Sequence, residues 1–168
     1  MRRILSILLQ NEAGALARVA GLFAARGYNI DSLTVAATHD PAQSRLTLVT
    51  HGDDGVIDQI IKQSRKLVEV IEIADLTGRE HLECELLIVK LRAVPGQAPR
   101  IAACVRRHPR AVLLDESEHT RTVQFAGRGA EIDAFLVELA AVAEILELAR
   151  SGTAALDCGD RVLADAAA

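Results

Sequence analysis

The chain has 168 residues, of which half are hydrophobic and a quarter charged, as is usual for a packed globular protein. Its net charge of −4 is modest and it contains only three phenylalanines and one tyrosine, so neither a basic stripe nor stacking rings favour nucleic-acid binding. No apolar run is long enough to span a membrane, and the three cysteines are widely spaced and odd in number. We therefore expect a cytoplasmic protein with no membrane or nucleic-acid partner.

The first 78 residues predict the element order β-α-β-β-α-β. Residues 2–10 are apolar and rich in β-formers, and the helix that follows has Leu16, Val19 and Phe23 at helical spacing. Gly27 stands where a helix commonly ends. The remaining predicted elements are strands at 28–38, 45–51 and 67–73 and a helix that starts near Asp53.

Residues 79–152 predict the same order a second time. The strand at 84–92 precedes a helix with Ala98, Ile101 and Val105 on one stripe, and His108-Pro109 ends that helix. Further elements are strands at 111–115, 120–126 and about 143–149 and a helix after Gly129. After Gly152 the composition turns to Ala, Asp and Gly, so we expect residues 153–168 to form a frayed tail.

These patterns predict an α+β protein with two ferredoxin-like βαββαβ domains in tandem, at 1–78 and 79–152. The first strand is apolar on both faces, although helices are expected to cover only one. We expect a partner or the second domain to cover the other face, unless the pattern only marks a buried central strand. The edge strand at 28–38 is expected to pair with its twin in a homodimer.

A search for catalytic or metal-binding groups finds none. No two histidines have the spacing of paired ligands on a helix, and in the sequence no histidine joins a cluster of cysteines. No serine occupies a nucleophile elbow, and the glycines do not form a phosphate-binding loop. The densest cationic cluster, at Arg106, Arg107 and Arg110, is interpreted as a solvated surface patch. We expect no catalytic residue, metal or cofactor in this chain.

The loop from Asn11 to Gly14 is the one candidate binding site. It joins a strand to a helix, so the unpaired N–H groups of the helix N-terminus can receive a carboxylate. Gly14 allows close approach of a ligand, and Asn11 offers both a donor and an acceptor. Asn29, at the start of the edge strand, could add a second amide across a dimer axis. On pattern alone, an Asn-x-x-Gly turn that only caps the helix is the more common interpretation.

Several segments resemble one known family. The string NEAGALARVAGLFAARGYNIDSLTVA and the SRLTLVTHGD that follows it closely resemble the regulatory (small) subunit of acetolactate synthase, also called acetohydroxyacid synthase. Further similar segments are KQSRKLVEVIEIADLT, ECELLIVKLRA, EIDAFLVELAAV and EILELARSG. The resemblance spans nearly the whole chain and weakens over 93–115 and after 152.

The resemblance implies an N-terminal ACT domain, which is a ferredoxin-like module that binds amino acids, followed by an ACT-like domain. It implies a non-catalytic homodimer that activates a catalytic (large) subunit carrying thiamine diphosphate, Mg²⁺ and FAD, in valine, leucine and isoleucine biosynthesis. Feedback inhibition would come from valine at the ACT dimer interface. The implied ligand residues are Asn11, Gly14, Ala15 and Leu16 of one chain and Asn29 and Ile30 of the other.

Two departures from the family pattern bear on that site. Ala13 stands where many relatives have serine, so a hydroxyl that could cap the helix is missing. The second half has Val94-Pro95-Gly96 in place of the asparagine loop, so we expect its role to be structural. The alternatives left open are a stand-alone ACT-type amino-acid sensor acting on another enzyme or regulator, a small enzyme on the same fold, and a purely structural activator.

Overall fold

A computed structural model describes residues 1–163 of the chain. Within them the chain forms two compact units. The N-terminal unit contains Met1–Leu82 together with the segment that begins at Thr153, and the C-terminal unit is Glu83–Gly152. The second unit therefore begins at residue 83 rather than at the expected residue 79.

The N-terminal unit is a four-stranded antiparallel sheet with two helices. Its strand order is β2-β3-β1-β4, which is the ferredoxin-like order, because each helix crosses from one strand to a strand two places away. Its elements are β1 Arg2–Gln10, α1 Ala15–Ala25, β2 Ile30–Ala37, β3 Gln43–His51, α2 Asp54–Ser64 and β4 Val70–Asp75.

One face of this sheet packs on the two helices. Alternation along β1 turns Leu5, Ile7 and Leu9 to that face, where they meet Val19 and Phe23 of α1. All five side chains are essentially inaccessible to solvent. Because aromatics are scarce, this core is almost wholly aliphatic, as the composition predicts.

The C-terminal unit repeats the arrangement with strand order β6-β7-β5-β8. Leu87, Val89 and Leu91 of its central strand pack against Ile101 and Phe135 of the two helices. The prediction of two tandem ferredoxin-like units is confirmed. The elements are β5 His81–Arg92, α3 Ala98–Arg106, β6 Ala111–Glu116, β7 Thr120–Gly127, α4 Gly129–Ala140 and β8 Ile145–Arg150.

The segment after Gly152 is ordered, so the expectation that a frayed tail begins at residue 153 is wrong for the residues described. A ninth strand, β9 Ala154–Asp157, lies there, and Thr153 and Ala155 are buried. Arg79 forms an ion pair with Asp157. The last five residues of the expected tail, 164–168, lie outside the described residues.

This C-terminal segment covers part of the face of the first sheet that carries no helices. Ala155 packs with Ile4, Val49 and Leu76 in a small apolar cluster on that face. Arg45 Nη1 donates to Ser6 Oγ and Nη2 to the Leu163 carbonyl, each at 3.0 Å. Part of the second apolar face of β1 is thus covered by the same chain, through residues that were expected to form a frayed tail.

A search of residues 1–163 for a helix long and apolar enough to cross a membrane finds none.

The packing of β9 predicts a specific loss of stability. The substitution Ala155→Asp places an unpaired carboxylate among Ile4, Val49 and Leu76, which we expect to lower the free energy of unfolding of the N-terminal unit by about 3 kcal/mol. Ala154→Asp is the matched control, since Ala154 is exposed on the same strand. Hydrogen exchange at β1 measures the effect, and equal protection in the two variants would contradict the assignment.

Candidate ligand-binding site

The loop between β1 and α1 is fixed at Asn11. The Asn11 backbone N–H donates to the Ala42 carbonyl at 2.7 Å, and its side-chain Nδ2 donates to the Pro41 carbonyl at 2.9 Å. Both bonds tie this loop to the loop between β2 and β3. With Nδ2 engaged, the amide oxygen of Asn11 is left as an acceptor, and no donor from residues 1–163 reaches it.

The N-terminus of α1 has donors but no side-chain cap. Gly14 has a φ of 94°, in the left-handed region that favours glycine, and no side chain accepts from the first turn. The Ala15 N–H reaches the Glu12 carbonyl only at 3.3 Å. Among the described residues, no acceptor faces the N–H groups of Gly14, Leu16 and Ala17. The first turn also holds no acidic residue, so the loop presents the positive end of the helix to an anion.

Glu69 is a neighbour of this loop that the sequence did not indicate. Leu9 pairs with Val70, and the Gln10 N–H donates to the Glu69 carbonyl at 2.8 Å, so residue 69 lies beside the end of β1. The Glu69 carboxylate is buried and forms an ion pair with Arg18 of α1 at 2.7 Å. Its second oxygen, Oε2, is buried with no partner from residues 1–163. Only the pairing register of β1 and β4 indicates that Glu69 lies beside this loop.

Asn29, the second predicted amide, is exposed just before β2. Its Nδ2 donates to Asp31 Oδ1 at 2.7 Å, and its carbonyl accepts from the Thr50 hydroxyl at 2.5 Å. His51 Nδ1 lies 2.5 Å from the other oxygen of Asp31. Asp31 therefore engages the nitrogen of the Asn29 amide, which leaves the amide oxygen as an acceptor.

The structure does not bring Asn11 and Asn29 together within one chain. Ile30 and Arg3 both pair with Thr50, so Asn29 lies level with the start of β1, whereas Asn11 follows its end. About eight residues of strand separate the two levels, which at about 3.3 Å per residue is roughly 25 Å. Gly14, Ala15 and Leu16 lie at the Asn11 end, and Ile30 lies at the Asn29 end.

The equivalent loop of the C-terminal unit is different. Gly96 has a φ of 85°, much like Gly14, but proline stands in the first turn of α3 and removes an N–H donor. Gln97 Oε1 accepts from the Val94 N–H at 3.3 Å. This loop therefore satisfies more of its own donors and carries no asparagine.

A second cluster lies in the C-terminal unit. Glu138 Oε2 is 3.1 Å from His108 Nε2, 3.9 Å from Cys104 Sγ and 2.9 Å from Arg107 Nη2. Hydrogen bonds from His108 and Arg107 lower the pKa of Glu138, and burial raises the pKa of Cys104. The sequence analysis did not indicate this cluster, which brings one histidine beside a single cysteine. The signal in the sequence is the spacing of four residues between Cys104 and His108, which is the spacing of paired ligands on one helix face.

Two members of the predicted cationic patch are neutralised by glutamates of α4. Arg107 pairs with Glu138, and Arg110 pairs with Glu131 at 2.5 Å. The Arg110 hydrogen bond, with that of the Arg128 N–H, lowers the pKa of Glu131 to about 2. Ion pairing thus removes much of the positive charge that a phosphate backbone would need.

Comparison with known proteins identifies the family. Residues 5–72 match the family described as AHAS small subunit-like ACT domain, and residues 84–159 match the small subunit of acetolactate synthase. The acetolactate synthase isozyme 3 small subunit of Escherichia coli (strain K12) is 46% identical over 97% of this chain and 99% of its own length. The probable acetolactate synthase small subunit of Archaeoglobus fulgidus is 37% identical over 96% of this chain and 99% of its own.

A solved structure agrees with these matches. The crystal structure of the acetolactate synthase small subunit from Thermotoga maritima superposes with a TM-score of 0.86 at 32% identity, covering 96% of this chain and 99% of that one. Sequence similarity and structural similarity therefore both extend over nearly the whole length of this chain. The chain belongs to the acetolactate synthase small-subunit family, and its N-terminal unit is an ACT domain.

Proposed function

We propose that this chain is a non-catalytic regulatory subunit that activates the catalytic subunit of acetolactate synthase and makes it sensitive to valine. The observation that carries the proposal is the uncapped N-terminus of α1 beside Asn11, in a chain of this family. Thiamine diphosphate, Mg²⁺ and FAD would belong to the catalytic partner. The three cysteines are free thiols, which fits a cytoplasmic location.

The loop matches the two charged groups of an amino acid. The N–H groups at Gly14 and Leu16 can donate to a carboxylate at the positive end of α1. The Asn11 amide oxygen, held outward by the Nδ2 bond to Pro41, can accept from the ammonium group. Valine satisfies both and adds a small apolar side chain. Leucine and isoleucine would compete, because one methylene changes binding by only roughly 1–3 kcal/mol.

A homodimer would complete the site. β2 lies at an edge of its sheet, and two β2 strands can pair antiparallel about a two-fold axis. An axis through the middle of β2 sets Ile30 of one chain level with Ala37 of the other. Ala37 is in turn level with Leu9, next to the Asn11 loop, since both pair with Ser44. Asn29 of one chain and Asn11 of the other then reach the same end of the joined sheet.

Regulation follows from linkage between the two binding events. Valine can inhibit only if it binds more tightly to the dimer arrangement that activates the catalytic subunit less. Typical couplings of about 1–3 kcal/mol correspond to a change of roughly 5- to 150-fold in affinity. A ligand that bridges two chains is suited to this, because its affinity depends directly on how the two ACT domains are arranged.

The direct test is reconstitution of this chain with an acetolactate synthase catalytic subunit. We expect acetolactate production to rise on addition of the chain and to fall again with valine. No turnover is expected from the chain alone. Valine binding without any effect on the catalytic subunit would favour a stand-alone amino-acid sensor, and activation without valine binding would favour a purely structural activator.

The first mutational prediction concerns Asn11 and Gly14. Loss of a hydrogen bond to a charged group costs about 1.5–3 kcal/mol, so Asn11→Ala should weaken valine binding roughly ten- to hundredfold while activation persists. Gly14→Asp adds backbone strain at a φ of 94° and repels the ligand carboxylate. Calorimetry measures the binding and the reconstituted assay measures the inhibition.

Gly96→Asp is the matched control for Gly14→Asp. Gly96 also has a positive φ before a helix, and at both positions an added Cβ meets open space. The control should therefore carry similar strain and retain valine sensitivity. If Gly96→Asp also abolished inhibition, or if Asn11→Ala left it intact, the assignment of the site would be wrong.

The second mutational prediction tests whether the site is shared between chains. Asn11→Ala and Asn29→Ala homodimers should each bind valine poorly. In a mixed dimer, one site keeps both asparagines and the other loses both. Equal mixing gives about half mixed dimers with one intact site of two, so binding should recover to about a quarter of the wild-type sites. No recovery after subunit exchange would contradict a site shared between chains, and normal valine binding by either homodimer would exclude the asparagine that it lacks.

A further inference from the structure

We propose that Cys104, His108 and Glu138 form a zinc-binding site in the C-terminal unit, between α3 and α4. The site would take one Zn²⁺ per chain and would link the two helices. It lies outside the ACT domain and is independent of the proposed valine site.

The three groups converge although they come from separate parts of the unit. Cys104 lies in the last turn of α3, His108 lies two residues beyond that helix, and Glu138 lies near the end of α4. One ligand atom from each lies within 4.8 Å of the other two. Zinc bonds of about 2.0–2.3 Å in a tetrahedron require ligand atoms roughly 3.3–3.8 Å apart. Small side-chain rotations therefore suffice to enclose an ion.

The chemistry of the donors favours zinc over the harder cations. Thiolate and imidazole are ligands that suit zinc, whereas Mg²⁺ and Ca²⁺ prefer sites made only of oxygen. Three protein ligands leave a fourth coordination position for water. His108 and Glu138 are partly exposed, with 26% and 40% of their side chains accessible, so an ion can enter from solvent.

The surroundings already hold two of the ligands in place. Cys104 is completely buried. The His108 ring packs edge-on against Phe125 and Phe135, with centroid distances of 6.0 and 4.8 Å, and its Nε2 points to Glu138. Such packing reduces the conformational entropy that ordering a ligand would otherwise cost.

Arg107 is the group that competes with a metal, because it donates to the same oxygen of Glu138 as His108 does. Its side chain is more than half exposed and can move. When Glu138 ligates an ion through one oxygen, Arg107 can hold the other oxygen as an outer partner. The charges of Zn²⁺, the Cys104 thiolate, the Glu138 carboxylate and the Arg107 guanidinium then sum to +1.

The test is metal titration of the full-length chain, reduced and first freed of metal with a chelator. Co²⁺ is the probe, since a tetrahedral site with one thiolate gives thiolate-to-cobalt charge-transfer absorption in the near ultraviolet and visible d–d bands. We expect these bands to saturate at one Co²⁺ per chain and to disappear when Zn²⁺ is added. Zn²⁺ should also raise the midpoint of thermal unfolding.

Substitution of each proposed ligand tests whether the bound metal ion is held by these three residues. Cys104→Ser should remove the charge-transfer band, and Glu138→Gln and His108→Gln should weaken Zn²⁺ binding at least about tenfold. Cys84→Ser and His119→Gln are matched controls, because both residues are exposed in the same unit, and they should leave the bands unchanged. Absence of the bands in the wild-type chain, or their survival in Cys104→Ser, would show that the three groups form only a hydrogen-bonded cluster.

Discussion

The burial of β1 on both faces is the constraint on which the N-terminal unit depends. Seven consecutive residues, from Arg3 to Leu9, are buried, although alternate side chains point to opposite sides of the sheet. One side needs two helices, and the connections of a βαββαβ chain supply them. The other side needs a different cover, and part of it comes from Ala155, which follows the C-terminal unit in the sequence.

The C-terminal segment therefore has a structural role, which is to pack on the first sheet, although its composition of Ala, Asp and Gly does not indicate one. Ala155 fits because a small side chain allows a strand to approach the apolar cluster of Ile4, Val49 and Leu76 closely. Polar contacts fix the same segment, since Arg45 joins Ser6 of β1 to the Leu163 carbonyl. Burial lowers the pKa of Arg45, but the guanidinium remains charged at physiological pH.

Periodicity predicted most of the fold, because long apolar patterns record which face of each element is buried. It missed features that depend on residues distant in sequence. β5 starts three residues before the predicted Cys84, since His81 and Glu83 are paired as a strand without contributing to the apolar core. Burial of Ala155 and the convergence of Glu138 on Cys104 depend on tertiary packing, which a local pattern does not encode.

The candidate site was predictable in part for the same reason. The strand–loop–helix pattern and Gly14 correctly located an uncapped helix start. Pattern alone placed Asn29 near it only by assuming a dimer, and within one chain the strand register places Asn29 and Asn11 at opposite ends of the sheet. β1 and β2 run parallel, and Asn11 follows the end of β1 whereas Asn29 precedes the start of β2. Side-chain rotation cannot bridge the length of strand between them.

The four helices also explain why the β1–α1 loop, and not another helix start, is suited to an anionic ligand. Asp53 caps α2, with its Oδ1 accepting from the Val56 N–H, and at the start of α4 the Glu131 carboxylate accepts from the Arg128 N–H. Proline in the first turn of α3 removes a donor. Of the helices in the described chain, α1 alone keeps its donors without supplying an acceptor or an acidic residue. Leaving a helix uncapped typically costs about 1 kcal/mol, and a carboxylate bound at Gly14 would restore that stabilisation. The absence of a cap on α1 would therefore be a source of binding free energy for the proposed ligand.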